Sequence, residues 1–242
     1  MRFIEHIHEP NRLLLVWQGM EGTSRDRRVV AEIDRCAGGT ARFRYVRDSE
    51  DFRQACEEGF LNFPAFRKVD QAEYRLGVVE TFMRRLPPRS RGDYAQYLEQ
   101  FRLHPQTLIS DFALLGYTGA KLPSDGFSLV DPLDDLRGRC DLMVEVAGFR
   151  HVSTIEASDI TPGMSARLTP EPDNPRDPNA VAVYIADCKV GYIPRPQTRA
   201  IHDALKQGSV GTTVERVNGR PDRPLVYLFT QIDMPEELRH LG

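Results

Sequence analysis

Residues 171–195 read EPDNPRDPNAVAVYIADCKVGYIPR. This stretch decides the fold. A dense loop of Pro, Asp and Asn feeds directly into an apolar strand, which returns through Val190-Gly191-Tyr192 into a Pro-Arg corner at Pro194-Arg195. Pro172, Pro175 and Pro178 recur every third residue. Each fixes φ and removes an N–H donor. Asp173, Asn174, Asp177 and Asn179 carry short side chains that bond their own backbone in turns. The loop is therefore stiff, with set side-chain directions. Two readings are open at this point: a ligand platform at a strand entrance, or plain turn architecture.

Around this core the pattern is β-rich. Leu142, Val144 and Val146 alternate in one strand, which Gly148 interrupts ahead of Phe149, Arg150 and His151. Ile160 to Gly163 reads as a turn and Met164 to Thr169 as a strand. Ala180 to Ala186 is a strand with Val181, Val183 and Ile185 on one face. Lys189 to Ile193 pairs back across a tight connection at Asp187-Cys188. Pro196 opens a helix with Ala200, Ile201, Ala204 and Leu205 as its apolar stripe, stopped by Gly208. Thr212 to Val217 and Leu225 to Ile232 are strands joined by NGRPDR, a hairpin-type loop. Several short strands and one helix predict a small closed or half-closed β-barrel.

The N-terminal half reads as α+β: a small antiparallel sheet, then several helices. LLLVW at 13–17, Arg28 to Ile33 and Ala41 to Val46 are strands, with a turn at Ala37-Gly38-Gly39. Asp48 or Ser49 caps a helix to Glu58, and Gly59 sits at its C′ position. Asp70 and Glu73 resemble a capping box ahead of Leu76, Val79, Phe82 and Met83. Pro87-Pro88 breaks that helix. Ser90 starts another, with Tyr94, Tyr97, Leu98 and Phe101 on one face. A third runs from Gln106 to Leu115 and ends at Gly116. Residues 120–138 have a linker texture, so the reading places one domain at 1–137 and a second at 138–242.

Composition narrows the function. The 242 residues hold 40% hydrophobic and 28% charged residues, ordinary for a globular protein rather than a disordered one. No apolar run approaches the roughly 20 residues that cross a bilayer, and no secretory signal opens the chain. The expectation is a cytoplasmic protein with no membrane partner. Cys36, Cys56, Cys140 and Cys188 form no CxxC pair and read as reduced, mostly buried thiols. Net charge is -3, and residues 141–233 hold ten Lys/Arg against twelve Asp/Glu. That balance weighs against a long phosphate-tracking groove and leaves room for a short pocket that grips one end or a few nucleotides. Arg84, Arg85, Arg89 and Arg91 cluster at the Pro-Pro break, as a phosphate patch or as solvated cations at a helix end. His6 and His8 form an H-x-H that reads as a surface strand, since nothing nearby completes a metal site. The chain lacks GxxxxGK[ST], GxSxG and HExxH. Asp131, Asp134 and Asp135 look linker-like. The reading is non-enzymatic, without metal or cofactor.

The combination Gly148-Phe149-Arg150-His151, then EPDNPRDPNAVAV, then VGYIPR before a short helix resembles the HIRAN domain family over roughly Asp141 to Asp233. HIRAN domains occur alone in bacteria and at the front of some eukaryotic DNA-remodelling helicases. The resemblance implies an OB/SH3-like barrel with one or two helices that binds single-stranded DNA, at its 3′ end in the best-understood member. Carried over by motif position, Arg150 stands where the family meets DNA, with His151 beside it at an aromatic position. Arg176 replaces a base-stacking tyrosine. Asp177 matches the aspartate that accepts from the 3′-hydroxyl. Arg195 falls where a basic residue meets phosphate, with Tyr192 on the same turn. The chemistry agrees: a 3′-hydroxyl donates, and an ionised Asp only accepts. The same carboxylate repels a 3′-phosphate. Arg150 and Arg195 neutralise one or two phosphates, and flat side chains stack on bases without reading them. A guanidinium at 176 can stack but adds charge.

The N-terminal half is more loosely similar to the small N-terminal subdomain of HipA-like kinases, through LLLVW, FRYV, GFLNFPAF and RRLPPRSRGDYAQYL. That resemblance implies protein binding. The function expected is non-catalytic binding of a DNA 3′ end on behalf of a helicase, nuclease or toxin-kinase partner in repair, replication or defence. The alternative is a regulatory, antitoxin-like module acting through the first half.

Overall fold

The computed structural model describes residues 2–19, 26–122, 124–220 and 223–235. The chain divides into two compact units. One runs from Glu9 to Pro132; the other joins the chain from Leu133 onward with the segment that ends at His8.

The Glu9–Pro132 unit is α+β, as the sequence predicts. Strands β1 (Arg12–Gln18), β2 (Arg27–Arg35), β3 (Ala41–Tyr45) and β4 (Phe127–Val130) form an antiparallel sheet in the order β3-β2-β1-β4. β4 lies inside the stretch read as linker. Its FSLV pairs Leu14 to Trp17 against Val130 to Phe127, and its flanking Pro and Asp residues masked a four-residue run. Helix α1 (Glu50–Glu57) is capped by Ser49, whose Oγ accepts from the Phe52 N–H. Helices α2 (Val78–Met83), α3 (Tyr94–Glu99) and α4 (Asp111–Thr118) are each shorter than their patterns suggested. The Asp70–Glu73 capping box does not form. Instead Tyr74 bridges to Phe43 beside β3, and α2 starts only after Gly77. α4 begins after a Ser110 cap, runs through Gly116 and ends at Gly119.

An aromatic cluster fills this unit. Phe43 lies 4.5 Å from Phe66 and 4.8 Å from Tyr45, ring centre to ring centre. Buried Tyr45 donates its hydroxyl to the Phe66 carbonyl (2.6 Å) and accepts from the Phe63 N–H (2.8 Å). Burial pushes its pKa up to about 12, against a smaller opposing pull from the Phe63 N–H. The arginine cluster disperses. The Arg85 side chain, 8% exposed, grips Asp125 through two bonds (2.6 and 3.0 Å) while donating to the Ala120 and Phe127 carbonyls. Arg89 pairs with Asp111 and Arg91 with Asp93. Arg85 is thus an internal strut, not a solvated cation.

The other unit is a curled antiparallel sheet, a half-barrel of the OB-like kind the sequence implied. β5 (Gly138–Glu145), β6 (Ser165–Pro170), β7 (Val181–Ile185), β8 (Cys188–Tyr192), β9 (Ser209–Arg220) and β10 (Arg223–Met234) lie in the order β5-β10-β9-β6-β7-β8. β9 and β10 extend further than NGRPDR allowed, pairing as far as Arg220 with Arg223; Pro221 and Asp222 of that loop lie outside the described residues. Helix α5 (Phe149–Val152) follows Gly148, and α6 (Thr198–Gln207) follows a short 3-10 turn at Arg195–Gln197. The sheet ends approach where Ala147 and Tyr192 exchange N–H···O bonds of 2.8 and 2.9 Å. That closeness requires glycine at 191, where a Cβ would stand 2.4 Å from the Ala147 oxygen and φ is +150°.

The first residues belong to this unit, and they form an extended arm rather than a strand. Arg2 stacks 4.6 Å over Phe229. The N–H groups of Glu5 and His6 donate to Asp141 Oδ2 at 2.9 and 3.0 Å, His6 Nδ1 lies 3.1 Å from the same oxygen, and Gln231 donates to Oδ1. His8 contacts Asp135 at 3.1 Å. Burial raises the Asp141 pKa, but the hydrogen bonds outweigh it and hold the carboxyl below its ordinary range. The H-x-H motif is therefore a clasp. The thiols are free, as expected, but only Cys140 is buried; Cys56 is exposed.

Candidate nucleic-acid interface

The loop 171–180 is closed at its base, where the Glu171 N–H donates to the Ala180 carbonyl at 2.8 Å. Three prolines cannot donate, so side chains satisfy the turn. Asn174 Oδ1 accepts from the N–H groups of Arg176 (3.0 Å) and Asp177 (3.3 Å), and Asp177 Oδ1 accepts from Asn179 (2.9 Å). These are side-chain-capped turns of the kind Asn and Asp favour. Asp177 Oδ2 faces the Arg195 Nε at 4.0 Å, with the Asp side chain 20% exposed. Arg195 is positioned by the 3-10 turn, whose carbonyl accepts from the Thr198 hydroxyl at 2.9 Å.

Tyr192 stands beside the loop. Its hydroxyl donates to Glu171 Oε2 (3.2 Å) and accepts from Asn174 Nδ2 (3.1 Å). Lys189 donates to Glu171 Oε1 (2.6 Å) and hovers 4.4 Å over the Tyr192 ring. Burial raises the Glu171 pKa, but bonds from Lys189, Asn174 and Tyr192 outweigh it and lower it. Burial lowers that of Lys189, but its bonds to Glu171 and Tyr192 raise it. Residues three apart in a strand normally point to opposite faces. Here a bulge shifts the β7–β8 register at Val183/Tyr184, so that Lys189 opposes Tyr184 and Tyr192 opposes Ala182. Both side chains then share the outer face.

The structure brings together Asp177 and Arg195, and ties Tyr192 to the same loop through Asn174. Arg150 and His151 sit on α5, 3.3 Å apart; α5 starts next to the Ala147–Tyr192 bridge. Arg176 is exposed, and among the described residues its guanidinium makes no ion pair or hydrogen bond. Glu171 and Lys189 escaped the sequence reading. Glu171 opens the motif and was visible as such, whereas Lys189 becomes relevant only through the bulge. Among the described residues no three His, Cys, Asp or Glu side chains group as metal ligands would, and no helix is long and apolar enough to cross a membrane.

Residues 141–233 match the model of the HIRAN domain family. Two solved structures are similar. A protein from Lactobacillus plantarum is 25% identical and aligns over 39% of this chain and 97% of its own, with a TM-score of 0.32. The HIRAN domain of human HLTF is 19% identical over 40% of this chain and 81% of its own, with a TM-score of 0.28. No curated protein matches the chain. Motif order, the curled sheet and the family match agree, and residues 141–233 of this chain form a HIRAN domain.

Proposed function

We propose that this HIRAN domain binds single-stranded DNA at a free 3′ end, without catalysis, and brings that end to a protein partner in the cytoplasm. The observation that carries this reading is the Asp177–Arg195 pair on a loop braced by side-chain-to-backbone hydrogen bonds. A carboxylate oxygen that can accept from a 3′-hydroxyl stands next to a cation that can meet the adjoining phosphate. Arg150, His151 and Arg176 border the same pocket in this reading, and Tyr192 supports the loop. The test is fluorescence anisotropy of the full chain with oligonucleotides ending in a 3′-hydroxyl or a 3′-phosphate. Preferred binding of the hydroxyl is expected; equal affinity for the two ends rejects end recognition.

A second reading assigns the Glu9–Pro132 unit to protein binding, as in an antitoxin-like regulator. Its support is three strongly exposed apolar side chains, Leu61, Leu76 and Leu108, at 80%, 92% and 94%, each able to contact a partner. The two readings are compatible in one chain. Crosslinking in host cells of the wild type and of a Leu61→Ser, Leu76→Ser, Leu108→Ser variant separates them. A partner band that the triple variant retains counts against these leucines as the contact.

A further inference from the structure

The outer face of β6, β7 and β8 continues away from the loop. Arg167 of β6 opposes Tyr184 of β7 in register, and Tyr184 opposes Lys189 of β8. Directly opposed residues share a sheet face. Arg167 lies 4.6 Å over the Tyr184 ring, as Lys189 lies 4.4 Å over that of Tyr192. Across the three strands this gives a series of two cation–aromatic pairs, Arg167–Tyr184 and Lys189–Tyr192, set next to each other by the strand register. Asn174, bonded to the Tyr192 hydroxyl, also holds the Asp177 N–H. The series therefore meets the Asp177 loop at Tyr192.

The face is hollowed at its Arg167–Tyr184 end. A depression of about 400 Å³ is lined by Met164, Arg167, Tyr184, Ala186 and Asp187. Two carboxylates lie along the series. Glu171 fixes Lys189. Asp187 lies 3.5 Å from Arg167 but is 97% exposed, so it can turn into water at little cost. Ala186 and Asp187 form the β7–β8 turn with φ of 48° and 61°, the left-handed geometry of a tight hairpin. That turn ends the face at the side away from the loop.

We propose that this outer face is a track for the nucleotides lying 5′ of the end held at Asp177, and so deepens the end-binding reading on which it rests. Tyr184 and the Arg167 guanidinium stacked on it supply planes for a base, Arg167 supplies charge for the backbone, and Lys189, held by Glu171, fixes the Tyr192 ring beside them. Alternating planes and cations of this kind bind single strands with little regard to sequence. With so few cations, the track is short, in keeping with the acidic balance of the domain.

The test compares full-length wild type, Arg167→Gln and Tyr184→Leu by anisotropy, using two- and eight-nucleotide oligothymidylates with free 3′-hydroxyls. Arg167 is 57% exposed, so Arg167→Gln reports without disturbing the fold should Tyr184→Leu prove unstable. Wild type is expected to bind the longer strand roughly tenfold more tightly, a gain typical of one stacked base. Each variant should erase most of that gain and leave dinucleotide binding intact. Equal wild-type affinity for both lengths, or variants that keep the gain, overturns the track alone. If wild type binds neither strand, the end pocket itself is wrong and the track falls with it.

Discussion

Arg195 Nε stands 4.0 Å from Asp177 Oδ2, while the other oxygen of the same carboxylate accepts the Asn179 N–H at 2.9 Å. One oxygen shapes the turn and the other faces the cation. The sequence left open whether Asp177 knits the loop or serves a ligand; the two oxygens allow both.

That division suggests a clean substitution. Asp177→Asn keeps an acceptor for Asn179 and removes the charge. Its melting temperature should stay near wild type, while preference for a 3′-hydroxyl over a 3′-phosphate falls by about tenfold or more, the scale of a hydrogen bond to a charged group. Asp177→Ala should lose both preference and stability. An Asp177→Asn variant that still discriminates the two ends in anisotropy titrations would remove Asp177 from end recognition.

Asn174→Ala deletes the acceptor shared by two turn N–H groups and the donor to Glu171 and Tyr192. We expect a loss of about 1–3 kcal/mol, set by the polar groups left unpaired, and faster amide exchange at Arg176 and Asp177. Unchanged protection at those amides by hydrogen-exchange mass spectrometry would contradict the assigned role.

The arm ending at His8 is part of the unit that contains the HIRAN domain. Deleting residues 1–8 strips Asp141, only 2% exposed, of the donors from Glu5 and His6. A buried carboxylate left short of partners is costly, on the order of 3 kcal/mol. The deletion should lower the urea midpoint accordingly. Adding Asp141→Asn to it should recover part of the loss, because the stranded charge is gone. If the deletion is neutral, the clasp is ornamental.

Acid should weaken the same unit. Asp141 and Glu171 both have pKa values held below their ordinary range by hydrogen bonds that outweigh burial. In the unfolded chain carboxyls titrate near about 4. Their stabilisation is therefore complete above that range and is lost as pH falls through the lower folded values. Thermal melts between pH 7 and pH 3 should decline steeply below about pH 4. Glu171→Gln and Asp141→Asn should each flatten the curve; identical slopes in all three proteins would refute the assignment.

Arg85→Ala should destabilise the Glu9–Pro132 unit by about 2–4 kcal/mol, since it takes from Asp125 its cation, leaving the Phe127 N–H on Oδ1, and from two backbone carbonyls the guanidinium donors. Arg85→Lys should rescue little, because an ammonium cannot reproduce the two-pronged grip. Full rescue by lysine in chemical denaturation would show that charge alone matters there.

Much of this protein was legible in its order of residues. Alternation of Val181, Val183 and Ile185, the Ser49 and Gly59 signals around α1, and the spacing of EPDNPRDPN are local, and local rules govern them. The HIRAN motif likewise lies in three short runs, 148–151, 171–183 and 190–195, each of consecutive residues. Other features needed long-range contacts. FSLV becomes a strand only because β1 offers an unpaired edge. Asp70 and Glu73 cap nothing because Tyr74 is drawn to Phe43. Arg85 turns inward because Asp125, forty positions on, meets it with a matching fork. His6 and His8 find their acids 135 and 127 residues away. Lys189 joins Tyr192 through one extra residue in a strand, which reverses the side-chain parity that a linear pattern assumes. Periodicity and turn chemistry thus determined the elements and the motif; which polar groups met, and on which face, was decided only when the sheets curled and buried charges had to find partners.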